Sequence, residues 1–257
     1  MILLGDCREK MKQLIADKVK VQMCVTSPPY WGLRDYGVTG QLGMEETPED
    51  YVANMVEVFR LVRELLVDDG TLWLVLGDTY NSSSPGTRDK NRWPKQTSND
   101  HVPLNKFTSK RLKGKDLVGI PWTVAFALRA SGWYLRADII WHKPNPMPES
   151  VKDRPTKSHE YIFLMSKNAN YYYDYKAIWE EANYDGNGTK VKEHSGCSMN
   201  NPEYAMMRNK RSVWTVNTQP YKEAHFATFP HALIAPCILA GSRPGDTVLD
   251  PFFGSGT

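Results

Sequence analysis

The sequence is short of the features that mark membrane, secreted and metal-stapled proteins. It holds no run of roughly 18 or more apolar residues, so no segment is long enough to form a transmembrane helix. The opening Met1 to Asp6 has too short an apolar stretch, and no basic flank, for a secretory signal; the chain is expected to stay in the cytoplasm. Its four cysteines, Cys7, Cys24, Cys197 and Cys237, include no Cys-x-x-Cys pair, which speaks against a zinc site and a disulfide framework alike. His142 and His159 lack the carboxylate or cysteine spacing of a metal site, so no metal is expected. No Gly-Lys-Ser/Thr follows any glycine turn, so a P-loop is unsupported, and no internal repeat is visible. The net charge of +3 is too small to single out a polyanionic partner.

What is present is an ordinary globular composition, 41% hydrophobic and 24% charged over 257 residues, enough for one large core with insertions. The charge is unevenly spread. Residues 80 to 116 carry nine basic against three acidic side chains, which suits phosphate contact or, equally, a solvated flexible loop.

The hydrophobic pattern alternates between strand and helix. Val21 to Thr26 reads as a buried strand stopped by Ser27-Pro28-Pro29. Thr47-Pro48-Glu49-Asp50 supplies an N-cap, a first-turn proline and early negative charge to a helix on Tyr51, Met55, Phe59, Val62 and Leu66, closing near Gly70. Thr71 to Leu76 reads as a strand, and Pro121 to Ala130 as a helix stopped by Gly132. Leu135, Ala137, Ile139 and Trp141 then alternate as in a strand, and Ala232 to Ala240 reads as a buried helix. This order implies an α/β fold with a mostly parallel sheet. The run Tyr171-Tyr172-Tyr173 suits strand packing or stacking on a base. Residues 80–116 and 183–212 are polar, turn-rich and too long for ordinary connections.

Two stretches carry chemistry. In Thr26-Ser27-Pro28-Pro29-Tyr30-Trp31, consecutive prolines hold an extended backbone, leave carbonyls free to accept, and place an aromatic face beside them. That suits a planar ring bearing an amino group, or simply a rigid turn. In Asp250-Pro251-Phe252-Phe253-Gly254-Ser255-Gly256-Thr257, glycines follow the strand Thr247-Val248-Leu249 and let a ligand approach the backbone.

Together these stretches resemble motifs IV and I of the amino-methyltransferases, and their order resembles the β group of DNA methyltransferases. Leu4-Gly5-Asp6-Cys7 resembles motif III, His142-Lys143 to Lys167 resembles motif VIII and its surroundings, and His225 to Pro230 resembles motif X. The resemblance implies a Rossmann-like methyltransferase fold, circularly permuted in motif order, with inserted DNA-contact loops, in a bacterial or phage-encoded protein. The core would span 1–182 and 213–257 with the basic loop inserted, and 183–212 would recognise the target. S-adenosylmethionine would be held by Asp6, Thr26, Thr228, Phe229, Pro230, Asp250, Pro251, Phe252, Phe253, Gly254 and Gly256. Double-stranded DNA would be held by Lys110, Arg111, Lys113, Lys115, Arg208, Lys210 and Arg211; no oligomeric state is set.

A duplex hides an exocyclic amine, so the base must be extruded. Ser27 Oγ and the Pro28 carbonyl would accept the amino hydrogens, with Pro29 stiffening the turn and Tyr30 as stacking platform. In the family, serine at the head of Ser-Pro-Pro-Tyr is typical of cytosine N4 enzymes, and Asp or Asn of adenine N6 enzymes, with exceptions. Cytosine C5 chemistry would need a reactive thiolate; Pro236-Cys237 superficially resembles that motif, but its apolar surroundings point to a structural thiol. A catalytically incomplete DNA-binding module, and RNA or protein methylation, remain open. Because Thr257 lies inside the glycine motif, residues 1–257 alone are expected to bind the cofactor weakly.

Overall fold

The computed structural model describes residues 1–33, 35, 37, 40–81, 111–181, 207–219 and 229–254. The basic stretch 82–110, residues 183–206 of the expected recognition region, His225 to Thr228, and Gly256 lie outside the described residues.

Helix α1 (Cys7–Ala16) opens where the Asp6 carboxylate accepts from the Arg8 backbone N–H at 2.8 Å, an N-cap that satisfies one of the helix's orphan donors. Strand β1 (Val21–Thr26) follows and is buried along its whole length, as its unbroken apolar run requires. Helix α2 (Pro48–Leu65) starts as expected: the Thr47 hydroxyl accepts from the Asp50 N–H, and Pro48 occupies the first turn. Its buried face comprises Tyr51, Met55, Val58, Phe59, Leu61, Val62 and Leu65.

The expected end of this helix is corrected. Leu66 turns extended (φ −64°, ψ 142°) and opens β2 (Leu66–Leu76), pairing with Val21. Gly70 therefore lies inside a strand. A Cβ there would stand 2.9 Å from the Gln22 carbonyl, so glycine permits the close approach of β1 where the register shifts.

Helix α3 (Ile120–Ala130) and strand β3 (Tyr134–His142) follow, β3 burying Ile139 and Trp141 in alternation. Next come β4 (His159–Ser166), the short pair β5 (Glu180–Glu181) and β6 (Met207–Arg208), β7 (Val213–Thr215), α4 (His231–Gly241) and β8 (Val248–Leu249). Tyr171 to Tyr173 form no strand. Instead Tyr173 stacks on Trp73 and Tyr172 lies under the Arg243 guanidinium, which is packing of another kind.

The main sheet has the order β7-β3-β4-β2-β1-β8, and β4 alone runs against the others. Both faces are covered, so alternate residues of one strand enter different cores. Leu72, Leu74 and Leu76 of β2 join Phe59, Val124, Leu128 and Phe163 under α1, α2 and α3. Trp73 and Val75 face the other way, with Met23, Val25, Ile162, Leu233 and Cys237 under α4. Period two along each strand thus builds a three-layer α/β sandwich. Among the described residues, no helix is long and apolar enough to cross a membrane.

Candidate active site

In a parallel sheet the loops that follow the strands gather on one edge, and ligands of open α/β folds bind there. Here the carboxyl ends of β8, β1, β2 and β3 share that edge. The reversed strand β4 brings its amino end to the same place: Tyr161 pairs with Leu76, and Glu160 with Trp141. A cleft of about 1580 Å³ opens along it. Ordinary ligand pockets hold roughly 300–1,000 Å³, so this one has room for a cofactor and a second ring together.

The two sequence stretches meet in the cleft. Ser27, Pro28, Pro29 and Tyr30 line one part, and Asp250, Pro251, Phe252, Phe253 and Gly254 another, with Phe229 beside Ile234 and Ile238 of α4. Thr26 ties the two: its hydroxyl donates to the Asp250 carboxylate, and the Phe252 N–H donates to the same oxygen at 2.9 Å. Thr26 is fully buried and absent from the lining, so it shapes the cleft by holding the turn after β8. Burial raises the Asp250 carboxyl above the usual carboxylate range, against the pull of those two bonds.

The Ser27–Tyr30 turn is held from three sides. The Tyr51 hydroxyl donates to the Pro29 carbonyl at 2.9 Å, committing that carbonyl to the fold. The Tyr30 ring fills the space over Gly77, where a Cβ would come within 2.6 Å of Cε2. The Tyr30 hydroxyl donates to Glu160 Oε2 at 2.8 Å and stands 3.4 Å from Ser27 Oγ. Burial, then the Glu160 charge, pushes the Tyr30 phenol well up, so it stays protonated. The Lys143 ammonium pairs with the other Glu160 oxygen and lies 4.1 Å over the Trp141 ring. On the neighbouring wall, Lys157 donates to the Asp78 carbonyl at 2.8 Å, and burial lowers its pKa. The Asp78 carboxylate caps α3, accepting from the Gly119 and Ile120 N–H groups.

Other expected residues stand apart. Asp6 does not line the cleft, although its neighbours Gly5 and Cys7 do; its carboxylate is engaged by the Arg8 side chain at 2.7 Å as well as the helix cap. Pro230 is buried as the N-cap of α4. Cys237 is fully buried, its thiol facing the Leu233 carbonyl and pushed up by burial, the opposite of an activated nucleophile. The basic residues are exposed or half-buried and paired: Arg111 with Glu49, Lys115 with Asp153, and both Arg208 and Arg211 with Glu180. Lys210 lies 5.2 Å from the Trp214 ring centre, and Lys113 is exposed. Lys110, Thr228 and Gly256 lie outside the described residues.

Sequence reasoning missed Glu160, Lys143 as its partner, and Asp78. The signal available was positional: Glu160 is the second residue of a strand whose other end is apolar.

The family described as DNA methylase matches residues 21–257. The chain is 51% identical to the type II methyltransferase M.SmaI of Serratia marcescens, over the whole of this chain and 80% of that protein. Its fold is similar to that of PvuII DNA methyltransferase (cytosine-N4-specific), with a TM-score of 0.60 at 16% identity, covering 96% of this chain and 72% of that one. It is also similar to the M1.HpyAVI–SAM complex, with a TM-score of 0.52 at 18% identity, covering 98% and 81%.

Proposed function

The chain belongs to the N6/N4 DNA methylase family, and from that premise we propose that it transfers a methyl group from S-adenosylmethionine to the N4 amino group of a cytosine flipped out of duplex DNA. The observation that carries this reading is that Ser27–Tyr30 and Asp250–Gly254 line one cleft, joined by a Thr26–Asp250 hydrogen bond across 224 positions of sequence.

The residues fit the cofactor. Gly254, at φ +54°, keeps the turn after β8 in a conformation that side chains disfavour, and Phe253 and Phe229 offer apolar surface beside it. S-adenosylmethionine, when bound, would supply a methyl group on a positively charged sulfur: the N–C bond forms as the C–S bond breaks to leave a neutral thioether, and the nitrogen sheds one proton to solvent, with no covalent base adduct. The chain's part is binding and orientation. Ser27 Oγ and the Pro28 carbonyl accept the amino hydrogens, which turns the nitrogen lone pair out of the ring plane, and Tyr30 offers its face to the base. Flipping costs a few kcal/mol, and stacking and hydrogen bonding in the cleft recover it.

The choice of N4 over adenine N6 rests on the serine at the head of the motif, Ser27. Residues 183–212 form the target-recognition region, and Arg111, Lys113, Lys115, Arg208, Lys210 and Arg211 contact phosphates, Arg111 and Lys115 by exchanging their exposed carboxylate partners Glu49 and Asp153 for the DNA backbone. Exposed ion pairs are worth about 0–1 kcal/mol, so that exchange is easy.

Incubating the protein with DNA and methyl-labelled S-adenosylmethionine, followed by digestion to nucleosides and mass spectrometry, tests the proposal. The label is expected on N4-methylcytosine. Label on N6-methyladenine would overturn the choice of base, and no label in any nucleoside would overturn the enzymatic reading.

A further inference from the structure

Strand β4 runs against its neighbours and so delivers an acid, Glu160, to the edge where the other strands deliver their catalytic turns. We propose that Glu160 is a positioning residue: it sets the direction of a hydrogen-bond chain running from the Ser27 hydroxyl through the Tyr30 hydroxyl, so that Ser27 Oγ meets the substrate amino group as an acceptor. The inference rests on the reading above, in which an amino group lies at Ser27.

The direction follows from donor and acceptor counts. A carboxylate only accepts, and a tyrosine hydroxyl has one hydrogen. Tyr30 therefore spends that hydrogen on Glu160 at 2.8 Å, and its oxygen is left to accept. Ser27 Oγ, 3.4 Å away, is the donor to it, so the serine hydrogen points along the chain and its lone pairs face the cleft. A contact of that length is ordinary for a catalytic hydrogen bond that tightens around substrate. Each link is itself held. Lys143 binds the second Glu160 oxygen and rests on Trp141, which fixes the carboxylate in the cleft wall. The Tyr30 ring packs directly on the Gly77 backbone, where even a Cβ would come within 2.6 Å of Cε2. Burial, then the Glu160 charge, raises the Tyr30 phenol well above its ordinary range, which favours the protonated hydroxyl that donates to Glu160.

A serine hydroxyl without this constraint could point its hydrogen at the substrate and meet an N–H group donor to donor. The chain removes that arrangement. Glu160 does so without touching the base.

Three variants separate positioning from bulk structure. Tyr30→Phe keeps the ring and removes the hydroxyl. Glu160→Gln keeps the shape but can donate to Tyr30, which frees the direction of the chain. The third combines the two. Single-turnover methyl transfer, the KM for DNA and the affinity for S-adenosylmethionine are measured on the same preparations. Each single variant is expected to slow transfer on the order of tenfold, the effect of one hydrogen bond, with KM and cofactor affinity within about twofold of wild type. The double variant should be no slower than the slower single, because both cut one chain. Full transfer rate in Tyr30→Phe or in Glu160→Gln, multiplicative losses in the double variant, or a raised KM at unchanged rate would each overturn the inference while leaving the methyltransferase reading in place. A wild-type protein that methylates no DNA would overturn both.

Discussion

The cleft and the basic surface treat polar groups in opposite ways. In the cleft, two groups are held closely: Asp250 by Thr26 and the Phe252 N–H, and Tyr30 by Glu160 and by packing on Gly77. On the surface, Arg111, Lys115 and Arg211 are each more than half exposed, and they pair with the carboxylates of Glu49, Asp153 and Glu180. Preorganisation is worth most where charge or orientation must be exact within a fraction of an ångström, and a buried network supplies it. Loose ion pairs suit a surface that must trade one anion for another. The comparison teaches that this fold invests rigidity at the sheet edge and leaves its cations exchangeable.

Breaking the rigid side should produce the largest effects. Tyr30→Ala removes the proposed platform, and stacking worth about 1–3 kcal/mol per base translates into a roughly 5- to 150-fold loss in turnover, read as kcat on duplex DNA. Gly77→Ala should follow. Its added Cβ would press on the Tyr30 ring from 2.6 Å, and overpacking of about 1–3 kcal/mol predicts a loss of about tenfold or more, with the fold retained by circular dichroism. A wild-type rate in Gly77→Ala would mean the ring has freedom that this account denies it.

The exchangeable side should respond more gently and in another observable. Replacing Arg111, Lys113 and Lys115 with neutral residues should weaken binding to all DNA sequences alike and reduce the salt slope by about one per lost phosphate contact. A changed sequence preference at unchanged slope would make these residues a recognition element.

The smallest effect is expected at Asp6, which is shared between the two styles. Its hydrogen bonds from the Arg8 side chain hold its carboxyl at about 2, below the ordinary 3.8. A folded-state pKa below the unfolded one contributes stability above 3.8 that is lost as pH falls toward 2. The contribution is modest because the carboxylate is 41% exposed. Asp6→Ala should cost about 0.5–2 kcal/mol as a lost cap, and the protection of α1 amides, relative to their intrinsic exchange, should then lose the part of its pH dependence in that window that Asp6 supplies.

How much was legible in the sequence divides along the same line. Strand β1, helix α2 with its Thr47 cap, α3 and β3 were readable because periodicity and capping residues act locally. The meeting of Ser27–Tyr30 with Asp250–Gly254 was readable only through the resemblance. Glu160 was not, because what makes it functional is the reversal of β4, and no local pattern in His159–Ser166 distinguishes a strand running up from one running down. Helix α1 lies outside those expectations, although Asp6 and the spacing of Met11, Leu14 and Ile15 announce it. The pairing of Glu180 with both Arg208 and Arg211 was not legible for a related reason: Glu180 lies far from them in the chain and is brought close by the β5–β6 pair.

The central claim is that one cleft is divided between a cofactor half at Phe253 and a base half at Tyr30. Calorimetric titration of S-adenosylmethionine into the wild type, Phe253→Ala and Tyr30→Ala tests it most directly. The account predicts a roughly two- to tenfold weaker affinity for Phe253→Ala, as expected for the loss of one aromatic contact, and an unchanged affinity for Tyr30→Ala. Equal weakening in both, or loss of affinity in Tyr30→Ala alone, would contradict the division and with it the assignment of Ser27–Tyr30 to the base.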